Sequence, residues 1–412
     1  MLARPEPLAE QLPPLTAHET LVESNRCLYC FDAPCTHACP THIDIPRFIK
    51  KIATGNLTGS ARTILESNLM GASCARVCPV EELCEGACVL HAEERPIAIG
   101  RLQRHAMDHI YSSGETVFAP VPATGRTVAV VGAGPAGLSC AGELARRGHA
   151  VTVFEKRNWG GGLSTYGIIV LREPIPVALA EVEMIRQLGA TILTGVEGDP
   201  VGLLQRFDAV FVATGLGKSP QLGIPGEEII VDGLTFIEQS KTDLEHLHVG
   251  QNVLIIGAGN TAIDCATIAK RCGAARVTIV YRRSEKDMSA YPHEYEFVKN
   301  EGVAFEFLAQ PVAVVAEGLV CLRAGSRFVI PADQIIKAIG QEKPAIATAP
   351  GLETERGYIR VNAQMETSIP RVFAGGDCIR TKGSASTVMA AQDGKLAARA
   401  IHNLLSTEAS HG

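Results

Sequence analysis

Long apolar runs are missing from this sequence: none approaches the roughly 20 residues that a membrane-spanning helix needs. The first fifteen residues carry Glu6, Glu10 and four prolines in place of the apolar stretch of an export signal. Neither a membrane partner nor export is expected, and a cytoplasmic location follows. Aromatic residues are scarce, with one Trp, seven Tyr and twelve Phe among 412 residues, which argues against an aromatic-lined cleft. Positive charge is not in excess either. Thirty-eight Lys and Arg face 44 Asp and Glu, a formal net charge of −6, so nucleic acid is not an expected partner. Charged residues make up 20% against 46% hydrophobic, a balance that excludes long disordered tracts. The length suits two or three domains at roughly 150 residues each. What the chain has in quantity is glycine, 40 residues, and cysteine, 13. Glycine above the usual share of about 7% suits a fold built around phosphate-binding turns.

Eight of the thirteen cysteines fall in two runs, Cys27-x2-Cys30-x4-Cys35-x3-Cys39-Pro40 and Cys74-x3-Cys78-Pro79-x5-Cys84-x3-Cys88. In a reducing compartment such spacing reads as metal ligation, not disulfide pairing. Soft thiolate ligands narrow the metal to iron–sulfur clusters or zinc. Cys-Pro in each run matches the close of the bacterial ferredoxin pattern, whereas zinc sites more often pair two Cys-x2-Cys motifs and only one is present. Two [4Fe-4S] clusters are the favoured expectation, with structural zinc and unligated thiols as alternatives. Around them, "IPRFIKKIATGN", "LTGSARTILESNLMGA" and "PIAIGRLQRHAMDHIY" repeat apolar residues every three or four positions, which predicts helices. Residues 1–111 are therefore expected to form an all-α domain. With few large apolar side chains, its core should be the clusters themselves, and it should depend on metal to fold.

After a linker at 112–127 the composition changes. Val128 to Val131 leads into Gly132-Ala133-Gly134-Pro135-Ala136-Gly137, a helical stretch, and a strand ending at the acid Glu155. Strand, glycine turn, helix, strand and acid together make a dinucleotide fingerprint: the turn approaches a pyrophosphate and the acid a ribose hydroxyl. A second copy runs through Gly257-Ala258-Gly259-Asn260-Thr261-Ala262, and its next strand ends at Arg282 and Arg283. Arginines at that place favour a 2′-phosphate and hence NADPH, while Glu285 nearby keeps NADH open. "FDAVFVATG" up to Gly215, "QIIKAIG" with Ala338, Ile339 and Gly340, and "SIPRVFAGGD" with Gly376 and Asp377 are strands ending in glycine, and a helix is predicted from Ser386 to Leu405.

Glu155, Gly160-Gly161-Gly162-Leu163, the Ala-Thr-Gly element and Ala-Gly-Gly-Asp together resemble the two-dinucleotide-domain flavoproteins. The eight-cysteine domain placed ahead of that pair resembles the small subunit of glutamate synthase and the N-terminal half of dihydropyrimidine dehydrogenase. Asp32-Ala33-Pro34-Cys35 and "IGRLQR" at Ile99 to Arg104 look like the pyrimidine group, and the closest likeness is to the electron-input subunit of its bacterial NAD-dependent members. The resemblance implies an α/β fold: two Rossmann-like domains, the FAD domain (128–236 and 341–412) split by an NAD(P) domain (237–340), behind the helical iron–sulfur domain. It implies an NAD(P)H-dependent oxidoreductase subunit that loads FAD with hydride and passes single electrons to an FMN-containing partner reducing uracil or thymine. The small subunit of glutamate synthase, or a related NAD(P)H:ferredoxin-type electron-transfer flavoprotein, is the alternative.

By the same resemblance one cluster takes Cys27, Cys30, Cys35 and Cys88, and the other Cys39, Cys78 and Cys84 with a fourth ligand. Cys74 supplies it in the glutamate synthase pattern, and a glutamine matching Gln103 in the eukaryotic pyrimidine enzyme. The flavin side would use Gly132 to Gly137, Glu155, Lys156, Gly161, Gly162, Leu163, Arg172, Gly215, Gly376, Asp377 and Thr387. The nicotinamide side would use Gly257 to Thr261, Arg282, Arg283 and Ala338 to Gly340. Two departures stand out: the family's Gly-Ile-Pro-x-x-Arg reads Gly167-Ile168-Ile169-Val170-Leu171-Arg172, and Ser289 stands where the NADPH-using enzyme has arginine. The chemistry is carried by the cofactors, and no side chain is expected to act as a nucleophile. A dithiol reductase is disfavoured, since neither Cys-x2-Cys nor Cys-x4-Cys occurs after Cys88.

Overall fold

The computed structural model describes residues 8–93, 95–380 and 385–409. It divides into two compact units. Of the described residues, the larger takes in those within Leu12–Thr165, Ile175–Leu216 and from 343 to 409; the smaller takes in 8–11, Tyr166–Pro174 and Gly217–Glu342.

The larger unit begins with helices Ala17–Arg26, Pro34–Ala38, Ile45–Ala53, Leu57–Ser67, Gly71–Val77 and Ile99–Ser113. Local chemistry starts and stops them. Thr16 and Glu19 form a capping box, Asp44 accepts from the Arg47 N–H at 3.2 Å, Asn56 accepts from the Gly59 N–H at 2.9 Å, and Gly114 ends the last helix at φ 71°. Their apolar stripes converge: Phe48, Ile49, Ile64, Leu65, Leu102 and Met107 are completely buried and pack together. This corrects the expectation of a core made only of clusters. Spacings such as Ile45, Phe48, Ile49 and Ile52 put enough aliphatic surface on one face to build a side-chain core.

The same unit holds a parallel sheet in the spatial order Val372–Ala374, Ala209–Val212, Thr127–Val131, Ala150–Glu155 and Thr191–Thr194. Its central strands are β-branched and buried on both faces, as a doubly wound sheet requires. The C-terminal helix Thr387–Ala409 lies against helix Pro135–Ala145. Gly394 permits that closeness, since a Cβ there would sit 2.2 Å from the Ala136 carbonyl oxygen.

The smaller unit repeats the design with Val231–Asp232, Gln334–Lys337, Asn252–Ile256, Arg276–Tyr281 and Ala304–Phe307 in parallel. An antiparallel ribbon of Gln310–Val315, Gly318–Arg323 and Ser326–Pro331 adjoins it. The boundary expected at 236/237 differs from the one observed. It falls inside helix Gly233–Thr242, and because Val231–Asp232 pairs with Ile336–Lys337, the main segment of this unit runs from Gly217 to Glu342. Among the described residues, no helix is long and apolar enough to cross a membrane.

Candidate functional site

In the helical part of the larger unit, Cys27, Cys30, Cys35 and Cys88 line one cavity with apolar neighbours including Leu28, Ile45, Ile49 and Ile99. A second group forms around Cys78. Its thiol is acted on by those of Cys74, Cys84 and Cys39. Helix geometry sets these pairs. The Cys39 N–H closes on the Cys35 carbonyl at 3.2 Å and the Cys78 N–H on the Cys74 carbonyl at 3.1 Å, so each Cys-x3-Cys spacing spans one turn. Burial and neighbouring thiols push Cys35 up to about 12, while burial and Glu85 push Cys84 well above the usual thiol range. The Cys74 thiol and burial do the same to Cys78. Such thiols do not ionise unaided; a bound polycation would have to draw the protons off, which fits an iron–sulfur or other thiolate centre. Among the described residues, no three His, Cys, Asp or Glu side chains are gathered as a single metal ion would need.

Two residues that no motif announced, Glu181 and Lys395, support the second group, together with the expected candidate Gln103. Glu181, on helix Ile175–Gln187, is buried and accepts from the N–H groups of Ala72 and Ser73 at 2.8 and 2.9 Å, capping the helix that carries Cys74. Gln103 donates its amide to the Gly71 carbonyl at 2.7 Å. The Lys395 ammonium is buried and donates to the carbonyls of Thr41 and Ser67, both at 2.7 Å. Lys395 shares a helical stripe with Ala391 and Ala398, so its burial had a signal in the spacing; Glu181 had none.

At the first fingerprint the three glycines do different jobs. A Cβ on Gly132, at φ 102°, would lie 2.4 Å from the Ala213 carbonyl oxygen, and one on Gly137 would lie 1.9 Å from that of Gly132. Over Gly134 the space is open except for the Gly162 Cα at 3.9 Å, leaving a bare cradle at the start of helix Pro135–Ala145. Glu155 is buried beside it, accepting from the N–H groups of Ala133 and Arg157, both at 2.8 Å. The Gly161 N–H reaches the Ala133 carbonyl at 2.7 Å, which lays Gly160 to Leu163 along the turn. Gly376 comes to the same place: its N–H donates to Asp393 at 3.0 Å, and a Cβ on it would be 3.0 Å from that of Ala136. Burial raises the Asp377 carboxyl, opposed by Arg380. Thr214 Oγ, in the Ala-Thr-Gly element before Gly215, is buried without a partner among the described residues. An open cradle and an orphaned hydroxyl beside it fit a bound dinucleotide. Lys156 and Leu163 lie exposed at the rim, and Thr387 opens the C-terminal helix.

In the smaller unit, Gly257 at φ 127° would place a Cβ 2.1 Å from the Ala338 carbonyl oxygen, while over Gly259 only the Ser289 hydroxyl comes near, at 3.2 Å. Thr261 lies in the first turn of helix Asn260–Arg271. The segment after Ser289 folds over this turn: the Ala258 carbonyl accepts from Ser289 and Ala290, and Asn260 accepts from the Tyr291 N–H at 3.1 Å. Arg282 and Arg283 are exposed at the end of the next strand. The Ala338 N–H donates to Ile256 at 2.7 Å, and Ile339 leads to Gly340 at φ 96° with open space around it. Arg172, expected on the flavin side, is grouped with this unit, where Asp264 at 3.0 Å and Glu294 hold its half-buried guanidinium.

A family model described as Pyridine nucleotide-disulphide oxidoreductase matches residues 126–394, and one described as Dihydropyrimidine dehydrogenase domain II, 4Fe-4S cluster, matches residues 5–115. The NAD-dependent dihydropyrimidine dehydrogenase subunit PreT of Escherichia coli (strain K12) is 35% identical over 404 residues, covering 97% of each chain. The glutamate synthase [NADPH] small chain of Halomonas elongata is 32% identical, covering 98% of this chain and 94% of that protein. Among solved structures, T. acidophilum thioredoxin reductase is similar with a TM-score of 0.56 at 23% identity, over 68% of this chain and 98% of its own, a likeness of fold.

Proposed function

We propose a specific reaction from one premise: the chain belongs to the pyridine nucleotide-disulphide oxidoreductase family and carries a dihydropyrimidine dehydrogenase-type 4Fe-4S domain ahead of it. It is an electron-transfer subunit, an FAD- and NAD(P)-dependent iron–sulfur oxidoreductase. Its proposed task is to take hydride from NAD(P)H and deliver single electrons, in the cytoplasm, to a partner FMN-containing subunit that reduces uracil or thymine to the dihydropyrimidine. The observation that carries this reading is the gathering of eight cysteines into two groups of four, in the same compact unit as the first nucleotide turn.

Bound FAD and iron–sulfur clusters would supply the hydride and one-electron chemistry. The residues of the chain bind and orient. The Gly134 cradle and the N-terminus of helix Pro135–Ala145 receive a pyrophosphate, and Glu155 stands ready for a ribose hydroxyl. Thr214 Oγ offers a donor and acceptor at the same turn. Gly257 to Thr261 do the equivalent for the nicotinamide nucleotide, with Arg282 and Arg283 placed for a 2′-phosphate. Cys27, Cys30, Cys35 and Cys88 would hold one cluster, and Cys39, Cys74, Cys78 and Cys84 the other. Cys74 is preferred over Gln103 because its sulfur already acts on Cys78 and the Gln103 amide is spent on Gly71. The exposed Leu28, Phe31 and Val89 mark the side on which a partner could approach the first group.

The test is anaerobic purification with native partners. One FAD and about eight irons per chain are expected from two four-iron clusters, together with an FMN protein that reduces uracil or thymine with NADH or NADPH. Stoichiometric zinc without iron would overturn the reading. A glutamine-handling partner would instead select the glutamate synthase role, which the engagement of Cys74 favours, since that position is the ligand in the glutamate synthase pattern.

A further inference from the structure

Lys395 is a buried ammonium, 5% exposed, and among the described residues it has no ion-pair partner. Its recorded acceptors are two neutral carbonyls. One belongs to Ser67, the last residue of helix Leu57–Ser67, where a carbonyl lacks an intrahelical donor and the helix end is partially negative. Carbonyls satisfy the donors without neutralising the charge, and an uncompensated buried cation is costly. The charged groups facing it are Arg399, Arg146, Glu143 and Cys39. The two arginines repel it. Glu143 is already shared by Arg146 and by Arg147. Among the described groups that act on it, this leaves the sulfur of Cys39, which would carry negative charge with a cluster bound.

The link to that group runs through a single residue. Thr41 is 1% exposed; its carbonyl accepts from Lys395 at 2.7 Å, and its hydroxyl lies 3.3 Å from the Cys39 sulfur. A metal-bound thiolate has no proton, so with a cluster in place the hydroxyl is the donor. We infer that Lys395, acting through and beside Thr41, is the residue that sets the reduction potential of the cluster held by Cys39, Cys74, Cys78 and Cys84, raising it. The inference rests on the two-cluster reading above. Four thiolates on a four-iron core form a net anion, and reduction adds one electron with no proton. A nearby fixed cation and a hydrogen bond to ligand sulfur both favour the reduced state.

Lys395 is also rigidly mounted. Its neighbour Gly394 meets helix Pro135–Ala145 so closely that a Cβ would lie 2.9 Å from the Cys140 nitrogen. The charge is therefore fixed to the element that opens at the flavin-side glycine turn. Burial lowers the Lys395 pKa to about 8, which leaves the group charged at neutral pH.

The experiment is a redox titration of the full chain under anaerobic conditions, followed by the paramagnetic signals of the reduced clusters, on wild type, Lys395→Met and Lys395→Arg, with iron and FAD assayed on each. Lys395→Met should lower one of the two midpoints so that its reduced-to-oxidised ratio at fixed potential falls about tenfold, equivalent to about 59 mV for one electron. The other midpoint should stay put, and Lys395→Arg should restore the first. Two unmoved midpoints in a variant that keeps its iron would overturn the inference and leave the cluster reading standing, as would equal movement of both. A wild-type protein without iron would overturn both together. If Lys395→Met loses iron, Lys395→Gln, which can still donate to the Thr41 carbonyl, must show the same selective drop for the inference to stand.

Discussion

Both oxygens of Glu155 are engaged by backbone, one by Ala133 in the glycine turn and one by Arg157. The acid therefore shapes the turn, in addition to the ribose contact proposed for it. Glu155→Ala should leave those N–H groups unpaired at about 1–3 kcal/mol, and flavin retained per chain after desalting should drop with it; full retention would refute that role. In the smaller unit, burial pushes Glu227 up, but Lys337 at 2.8 Å and the N–H groups of Leu222 and Gly223 outweigh it and hold the carboxyl at about 2. A carboxyl lowered by folding stabilises fully above its unfolded value, 4.5, and that stability is lost as pH falls towards 2. Glu227→Gln, which strands a buried ammonium, should cost about 3 kcal/mol at neutral pH. In denaturant melts the gap from wild type should narrow between those two pH values. Glu227 and Lys337 are far apart in the chain, and no local pattern announced their pairing.

Helix Gly71–Val77 is too short to be stable alone and lacks a side-chain cap of its own. Glu181 provides the cap from another helix. Glu181→Ala should release this helix and with it Cys74 and Cys78, so iron content should fall by about half, to about four per chain, with the first group still loaded. Iron unchanged at about eight would show that the cap does not matter to the second group. At the other nucleotide turn, strand Arg276–Tyr281 ends at two exposed arginines. Replacing Arg282 and Arg283 by alanine should raise the KM for NADPH by roughly tenfold or more while leaving that for NADH nearly unchanged, because charge-assisted bonds to a 2′-phosphate are lost. An equal effect on both nucleotides would rule out phosphate reading. The two fingerprints were legible because their elements follow one another directly in the chain. The start of the smaller unit's main segment was not, because Val231–Asp232 pairs with a strand that arrives only at Gln334–Lys337.

For the whole molecule, the side-chain core of the N-terminal helices changes what iron removal should do. With Phe48, Ile64, Leu65 and Leu102 completely buried, chelation should lower the melting temperature of this region while most far-ultraviolet helical signal remains. Complete loss of helix on chelation would return the domain to the metal-dependent class. The sequence by itself determined the two glycine turns, the cysteine spacings and the helical stripes, since each is written within one or two turns of chain and depends on local geometry. Only the tertiary structure decided that Arg172 pairs with Asp264 and Glu294, that Glu181 caps the helix of Cys74, and that Lys395 reaches Thr41. Those are choices of partner for buried charge, and a buried charge is satisfied by whatever folding brings beside it, not by its neighbours in sequence.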